Sequence, residues 1–307
     1  MSDTALRAPV FFVGMPRSGT TVIFEAFAYH PELAWISDYC RSRPRQPWIN
    51  GLRALVDNQF LQLRGNKKQY AGAPAAFMNI WLPRPDEAYE FWDHWTRVNF
   101  ARDALRVQRA TPEAAEKTRR AVAAVARWQT RSRIAAKLTG PPRMAFLRDI
   151  FPDARFVHIV RDGRAVVHSL LKVPFWRDQG GFEGPFWSDI LTSDDLDKWE
   201  STDRNPAALA ALQWQRVLML ARAEAASMPK ETYTELRYED YIENPHGTLS
   251  SLMKFANLAE AAPVHSHLER QPPLADMNRK HSSDFSAEDL ALIDDCLQPA
   301  LRDFGYL

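Results

Sequence analysis

The sequence predicts an α/β fold, a P-loop-like three-layer arrangement with a central, mostly parallel β-sheet flanked by helices. Three observations carry that expectation. Val10-Phe11-Phe12-Val13-Gly14 is an apolar run that ends on a glycine, turns through a short polar loop and opens onto a helical segment. Arg155-Phe156-Val157-His158-Ile159-Val160 repeats the same layout, with a polar turn and a helix from Gly163. Along the rest of the chain, strand-like runs are separated by helical ones, the pattern of a parallel sheet covered on both faces.

Taken in order, the first helix starts at Val22 and its pattern ends at His30-Pro31-Glu32, after which Leu33 to Ser37 reads as a short strand leading to Asp38. Residues 41–85 are irregular, with prolines, basic residues, Trp48 and Trp81. A helix is expected over 86–105, because Phe91, Trp92, Trp95 and Val98 fall at helical spacing. Pro112 suits an early helix position, so 113–131 reads as a long helix. Ile134 to Thr139, closed by Gly140-Pro141-Pro142, is a second buried strand, and 143–151 is a short helix. A helix over 163–173 follows the strand at 155–160. Residues 174–206 shift to glycine, aspartate and bulky aromatics, and read as a functional loop whose Gly180, Gly181 and Gly184 give it the freedom of a lid. The chain then continues with a helix from Pro206 to about Met228, a strand over 232–236, a helix over 245–256 and an amphipathic helix over 287–304. The expected organisation is a single domain over 1–307, with 41–134 a largely helical insertion and 174–205 a lid-like loop, both on the side of a second substrate.

Composition narrows the class. Hydrophobic residues make up 46% of the 307, enough for a substantial core, and the net charge of +1 provides no general attraction to nucleic acid or an anionic membrane. Two cysteines are too few for a disulfide framework and lack metal-ligand spacing. No run approaches the roughly 20 apolar residues needed to cross a bilayer, and the first residues lack a signal-peptide pattern. The expectation is a cytoplasmic enzyme with no integral membrane segment and no nucleic-acid partner.

Both polar turns suit anions. Unpaired N–H groups at a helix N-terminus and the aligned peptide dipoles favour negative charge there. Gly14 and Gly19 have the spacing of the P-loop pattern, but Thr20-Thr21 stands in place of Lys-Ser/Thr and Arg17 sits inside the loop, an arrangement poorly built for ATP or GTP hydrolysis. In the second turn Asp162 is a plausible N-cap, Arg161 leaves the strand end, and Ser169 follows eight residues later on a similar side of the helix. Ligands of a parallel sheet gather at the carboxyl ends of its strands, so both turns should face one crevice and hold a ligand with two separated phosphate-type groups.

At these residues the sequence resembles the sulfotransferases that use 3′-phosphoadenosine 5′-phosphosulfate (PAPS). Pro16-Arg17-Ser18-Gly19-Thr20-Thr21 is similar to their 5′-phosphosulfate loop, and the Arg161–Ser169 pair is similar to their 3′-phosphate motif. Phe151-Pro152-Asp153-Ala154-Arg155-Phe156 running into Arg161-Asp162-Gly163-Arg164-Ala165 most resembles the branch holding tyrosylprotein sulfotransferases and many bacterial members. The likeness covers residues 9–40, 135–173 and 232–257, and more faintly the tail from 278.

The resemblance implies PAPS as donor and a hydroxylated small molecule, glycan or lipid-like acceptor, with no metal. It implies that Arg17, Ser18, Gly19, Thr20, Thr21, Arg161, Ser169 and Tyr238 bind the nucleotide, the last from the Tyr-Glu-Asp turn at 238–240. Arg279 and Lys280 match the late basic loop that reaches the 3′-phosphate, although His281 stands where many members have glycine. It also implies catalytic roles for Arg17, for Lys137 bridging to the transferring group, and for Asp38 as the base, in place of the branch's glutamate; His94 is the runner-up. Two other readings stay open here: a P-loop kinase, and a non-catalytic protein that binds the nucleotide.

Overall fold

The computed structural model describes residues 6–57, 82–269 and 284–307. Five strands form one all-parallel sheet: β1 (Val10–Gly14), β2 (Leu33–Ala34), β3 (Arg133–Thr139), β4 (Arg155–Val160) and β5 (Tyr233–Arg237), in the order β2-β3-β1-β4-β5. Val10 of β1 pairs with Ala135 of β3 on one side and with Arg155 of β4 on the other. The first strand of the chain is therefore the central one, and the loop leaving it emerges in the middle of the sheet's carboxyl edge.

A strand covered on both faces must be apolar at every position, and β1 is fully buried along its length. Its adjacent phenylalanines point opposite ways. Phe11 stacks on Phe156 at 5.6 Å and meets Trp92 edge-on at 5.9 Å, while Phe12 packs edge-on against Phe24 at 5.5 Å and against Phe27 at 5.1 Å. Phe24 and Phe27 belong to α1 (Thr20–Phe27), so this alternation separates the two covering layers.

Further helices follow in chain order: α2 (Tyr39–Ser42), α3 (Tyr89–Thr96), α4 (Pro112–Trp128), α5 (Met144–Ile150), α6 (Gly163–Leu171), α7 (Pro174–Asp178), α8 (Ser193–Glu200), α9 (Pro206–Ala225), α10 (Tyr238–Glu243), α11 (Pro245–Phe255), α12 (Ala262–Glu269) and α13 (Ala287–Asp303). Helix α4 begins as its sequence implies, with Thr111 accepting from the Ala114 N–H and Pro112 in the first turn.

Three expectations change. The helix anticipated over 86–105 is only α3: Arg97 takes a left-handed φ of 63°, and the Asp93 carboxylate accepts from the Ala101 N–H, so a side chain captures a backbone donor and turns the chain. The strand anticipated over 33–37 is two residues long, because the Trp35 N–H donates to the Gln129 side chain rather than to a neighbouring strand. The segment 174–206 holds α7 and α8 rather than unbroken loop, and α8 is fixed by a reciprocal cap between Thr192 and Asp195. Trp176, Trp187 and Trp199 of this segment are buried with Trp214 of α9 and with α6 and α13.

Candidate active site

The loop from Gly14 to Thr20 is held in a shape that few residues accept. Arg17 has φ 73°, Gly19 has φ 84°, and a Cβ at Gly14 would lie 2.4 Å from the Ile159 carbonyl oxygen. A Cβ at Gly19 would lie 2.2 Å from the Tyr238 ring, so only glycine lets Tyr238 lie over the start of α1. That start carries no side-chain cap and no acidic residue in its first turn, leaving its amides open to an anion.

The two polar turns meet. Arg17 Nε donates to Ser169 Oγ at 2.9 Å, and Arg161 Nη1 donates to the Arg17 carbonyl at 2.9 Å. The Arg161 guanidinium lies 4.6 Å above the Tyr238 ring. Asp162 caps α6 through the Arg164 N–H, as its position implies. Burial, and then the nearby charge of Arg161, lower the Arg17 pKa from its usual value. Two guanidiniums thus meet at the start of α1, and both are donors suited to anionic oxygen.

Two cavities share this corner. One, about 440 Å³, is lined by Arg17, Gly19, Arg161, Ser169 and Tyr238 together with His168 of α6 and Lys172, the residue that follows that helix. The other, about 390 Å³, also borders Arg17, Thr20 and Thr21 and is lined further by Glu87, Tyr89, Lys137 and Thr139. Its outer wall is aromatic: Phe175, Phe186 and Trp187. Trp187 is seated against Gly140 in the turn after β3, where a Cβ would come within 2.8 Å of the indole.

Lys137, near the carboxyl end of β3, donates to Thr21 Oγ1 at 2.8 Å and lies 3.6 Å from Glu87 Oε1. Thr139 Oγ1 donates to the same Glu87 oxygen at 2.7 Å, and the Tyr89 hydroxyl donates to the Thr139 carbonyl at 2.6 Å. Glu87 was not singled out by its sequence context. The chain brings it here because Ser37 bridges to Pro85, laying 84–89 beside the end of β3.

Of the residues expected at the site, Arg17, Gly19, Thr20, Thr21, Arg161, Ser169, Tyr238 and Lys137 line one or both cavities. Ser18 is buried beneath the loop with its hydroxyl unpartnered among the described residues. Asp38 lines neither cavity. Its carboxylate accepts from the Arg84 backbone N–H at 3.1 Å and pairs with the Arg84 guanidinium at 3.0 Å. His94 lines neither, and its ring meets Trp95 edge-on. Of the aromatics, Trp92 is core and Trp48 is half exposed outside both cavities. Arg279, Lys280 and Trp81 lie outside the described residues.

The profile of the sulfotransferase family matches residues 9–262. The chain belongs to the sulfotransferase family. Among curated relatives, omega-hydroxy-beta-dihydromenaquinone-9 sulfotransferase Stf3 of Mycobacterium tuberculosis is 24% identical over 97% of this chain and 75% of its own length. Protein-tyrosine sulfotransferase 2 of Gallus gallus is 24% identical over 40% of this chain and 28% of its own. Among solved structures, sulfotransferase STF1 of Mycobacterium tuberculosis superposes with a TM-score of 0.57 at 17% identity, covering 96% of this chain and 77% of that one. STF9 of Mycobacterium avium gives 0.56 at 16% identity, with 97% and 77% covered. These structures share the fold.

As a sulfotransferase, the protein moves a sulfuryl group from PAPS to a hydroxylated acceptor. The residues in hand suit that donor: two arginines and an open helix start border the larger cavity, and the buried Ser18 hydroxyl of the same loop has no partner among the described residues. Among the described residues no helix is long and apolar enough to cross a membrane.

Proposed function

We propose that this sulfotransferase seats the nucleotide in the cavity lined by Arg161 and Tyr238, and takes its acceptor from the one lined by Glu87 and Lys137. The observation that carries this is the shared wall. Arg17, Thr20 and Thr21 border both spaces, so a group held by the loop faces the acceptor side directly. Ser18, the amides of Thr20 and Thr21, and Arg17 hold the 5′ end of the donor, and Arg161 and Ser169 hold the 3′-phosphate, with Tyr238 against the nucleotide.

Bound PAPS supplies an electrophilic sulfur and a phosphate leaving group. On the protein's side, the acceptor hydroxyl gives its proton to Glu87 as the acceptor oxygen bonds to sulfur and the sulfur–phosphate oxygen bond breaks. Negative charge then grows on the leaving phosphate, where Arg17, the loop amides and Lys137 stabilise it. Glu87 is favoured over Asp38 as the base on position. Glu87 lines the acceptor cavity beside Lys137, whereas Asp38 is held by Arg84. Lys137 bridges Thr21 and Glu87, and its compact charge suits a group that links donor and base. We place the protein in the cytoplasm, where its two free, buried cysteines Cys40 and Cys296 stay reduced.

A transfer screen with labelled PAPS against phenols, sugars, sterols and ω-hydroxy lipids tests the reading. Transfer to at least one hydroxyl, slowed about 10²–10⁴-fold by Glu87→Gln with binding of the bisphosphate product intact, is the expected result. Tight nucleotide binding with no transfer across the panel would indicate a non-catalytic role.

A further inference from the structure

We propose that the acceptor carries a carboxylate, held by Arg102 at the far wall of the acceptor cavity. This rests on the sulfotransferase reading of the site and names the acceptor's chemistry within it.

The argument is a charge inventory. Four cationic side chains line the acceptor cavity: Arg17, Arg41, Arg102 and Lys137. Arg17 turns to the donor side through Ser169. Arg41 is neutralised by a two-pronged pair with Asp86, at 2.8 and 2.7 Å. Lys137 has Glu87 at 3.6 Å. Arg102 has no carboxylate within salt-bridge distance among the described residues. Its guanidinium donates only to neutral acceptors: Nη1 to the Phe186 carbonyl at 2.9 Å, and Nη2 to the Gln179 carbonyl and side-chain oxygen at 3.2 Å. Burial lowers its pKa with nothing acidic to offset it.

Arg102 is also held in place. It lies 4.0 Å over the Phe186 ring, and Phe186 is stacked on Trp176 at 4.6 Å and 6°. Its own carbonyl accepts from the Ser188 N–H at 2.9 Å, so the turn after α3 and the segment after α7 clasp it from two sides. Neutral oxygens fix the fork without cancelling its charge. A partly buried cation pinned this way and left without a counter-ion is preorganised to receive an anion. The aromatic wall beside it suits an apolar body between that anion and the reacting hydroxyl.

The test uses the full chain saturated with adenosine 3′,5′-bisphosphate and two matched pairs of probes: 4-hydroxyphenylacetate against its primary amide, and 12-hydroxydodecanoate against its primary amide. Binding is read by calorimetry. At least one carboxylate should bind tenfold or more tightly than its amide, the preference should vanish in Arg102→Gln, and Arg102→Lys should keep part of it. A role confined to clasping the two segments would leave the carboxylate-to-amide ratio unchanged in Arg102→Gln. That result overturns the proposal, as does the absence of a carboxylate preference in both pairs, whether the members bind equally or neither binds. Failure of the bisphosphate itself to bind would instead overturn the sulfotransferase reading of the site. Unchanged bisphosphate affinity in each variant shows that the fold has survived the substitution.

Discussion

The Arg161 guanidinium donates to the main-chain carbonyl of Arg17 at 2.9 Å, so the second polar turn supports the backbone of the first. One residue thus does two things. It brings positive charge to the cavity lined by Ser169 and Tyr238, and it supports a loop whose Arg17 sits in a left-handed conformation, a conformation that costs on the order of 1–3 kcal/mol.

Arg161→Ala should therefore lose more than an electrostatic contact. A hydrogen bond to a charged group contributes roughly 1.5–3 kcal/mol, or about ten- to a hundredfold in affinity. Calorimetry with adenosine 3′,5′-bisphosphate should show at least that loss, together with a lower Tm without nucleotide. An affinity loss with an unchanged Tm would separate the binding role from the support of the loop.

Glu87→Gln should reduce turnover by about 10²–10⁴-fold, the usual worth of a positioned general base, with little change in nucleotide affinity. Asp38→Asn should alter turnover by less than about tenfold and act on stability instead, because it breaks the pair with Arg84. Steady-state kinetics on the two variants decide between the carboxylates. The opposite ranking would return the base to Asp38.

Gly19→Ala meets two obstacles at once: a φ of 84° and the Tyr238 ring 2.2 Å from the new methyl group. A stability loss of about 1–3 kcal/mol is expected, with weaker nucleotide binding. Combining it with Tyr238→Ala should recover part of the stability but none of the binding, a pattern that denaturant titration and calorimetry can resolve.

Glu25, one turn beyond Thr21 on α1, gives a pH signature. Burial pushes its carboxyl up to about 7, against the downward pull of Lys137 and Arg84. Because the folded value lies above the unfolded one of about 4.5, its protonated form favours folding. That contribution is full below about pH 4.5 and is lost as pH rises through 7. Glu25→Gln, which keeps the neutral form, should gain stability over the wild type between pH 5 and 9, by up to about 3 kcal/mol. Denaturation curves that run parallel across that range would exclude the effect.

Strands β1 and β4 and both anion turns were legible because each is specified locally. A continuous apolar run, a glycine where the backbone must turn, and polar residues at the helix start all lie within a dozen positions. Helix α8 was legible in principle, since Thr192 and Asp195 have the spacing of a reciprocal cap, but glycines and aromatics nearby mask the signal. The ends of β2 and α3 were not, because Gln129 and Asp93 redirect backbone N–H groups there, and in the case of Gln129 the contact spans 94 residues. Glu87 and Arg102 went unnoticed for a related reason. Neither sits in a motif; Glu87 reaches the cavity through the Ser37–Pro85 bridge, and Arg102 through its clasp with 179–188. The cavity of the two anion turns is written in short stretches of chain, while the one beside Glu87 and Arg102 arises where distant stretches touch.

The wall formed by Arg17, Thr20 and Thr21 has a kinetic meaning. In the seating proposed above, each substrate occupies its own cavity and Arg17, Thr20 and Thr21 border both. Neither molecule need depart before the other arrives, so both are present together when sulfur changes hands, without a sulfated enzyme in between. Double-reciprocal plots at varied concentrations of both substrates should intersect rather than run parallel, and a single molecule spanning the partition should outcompete either half alone.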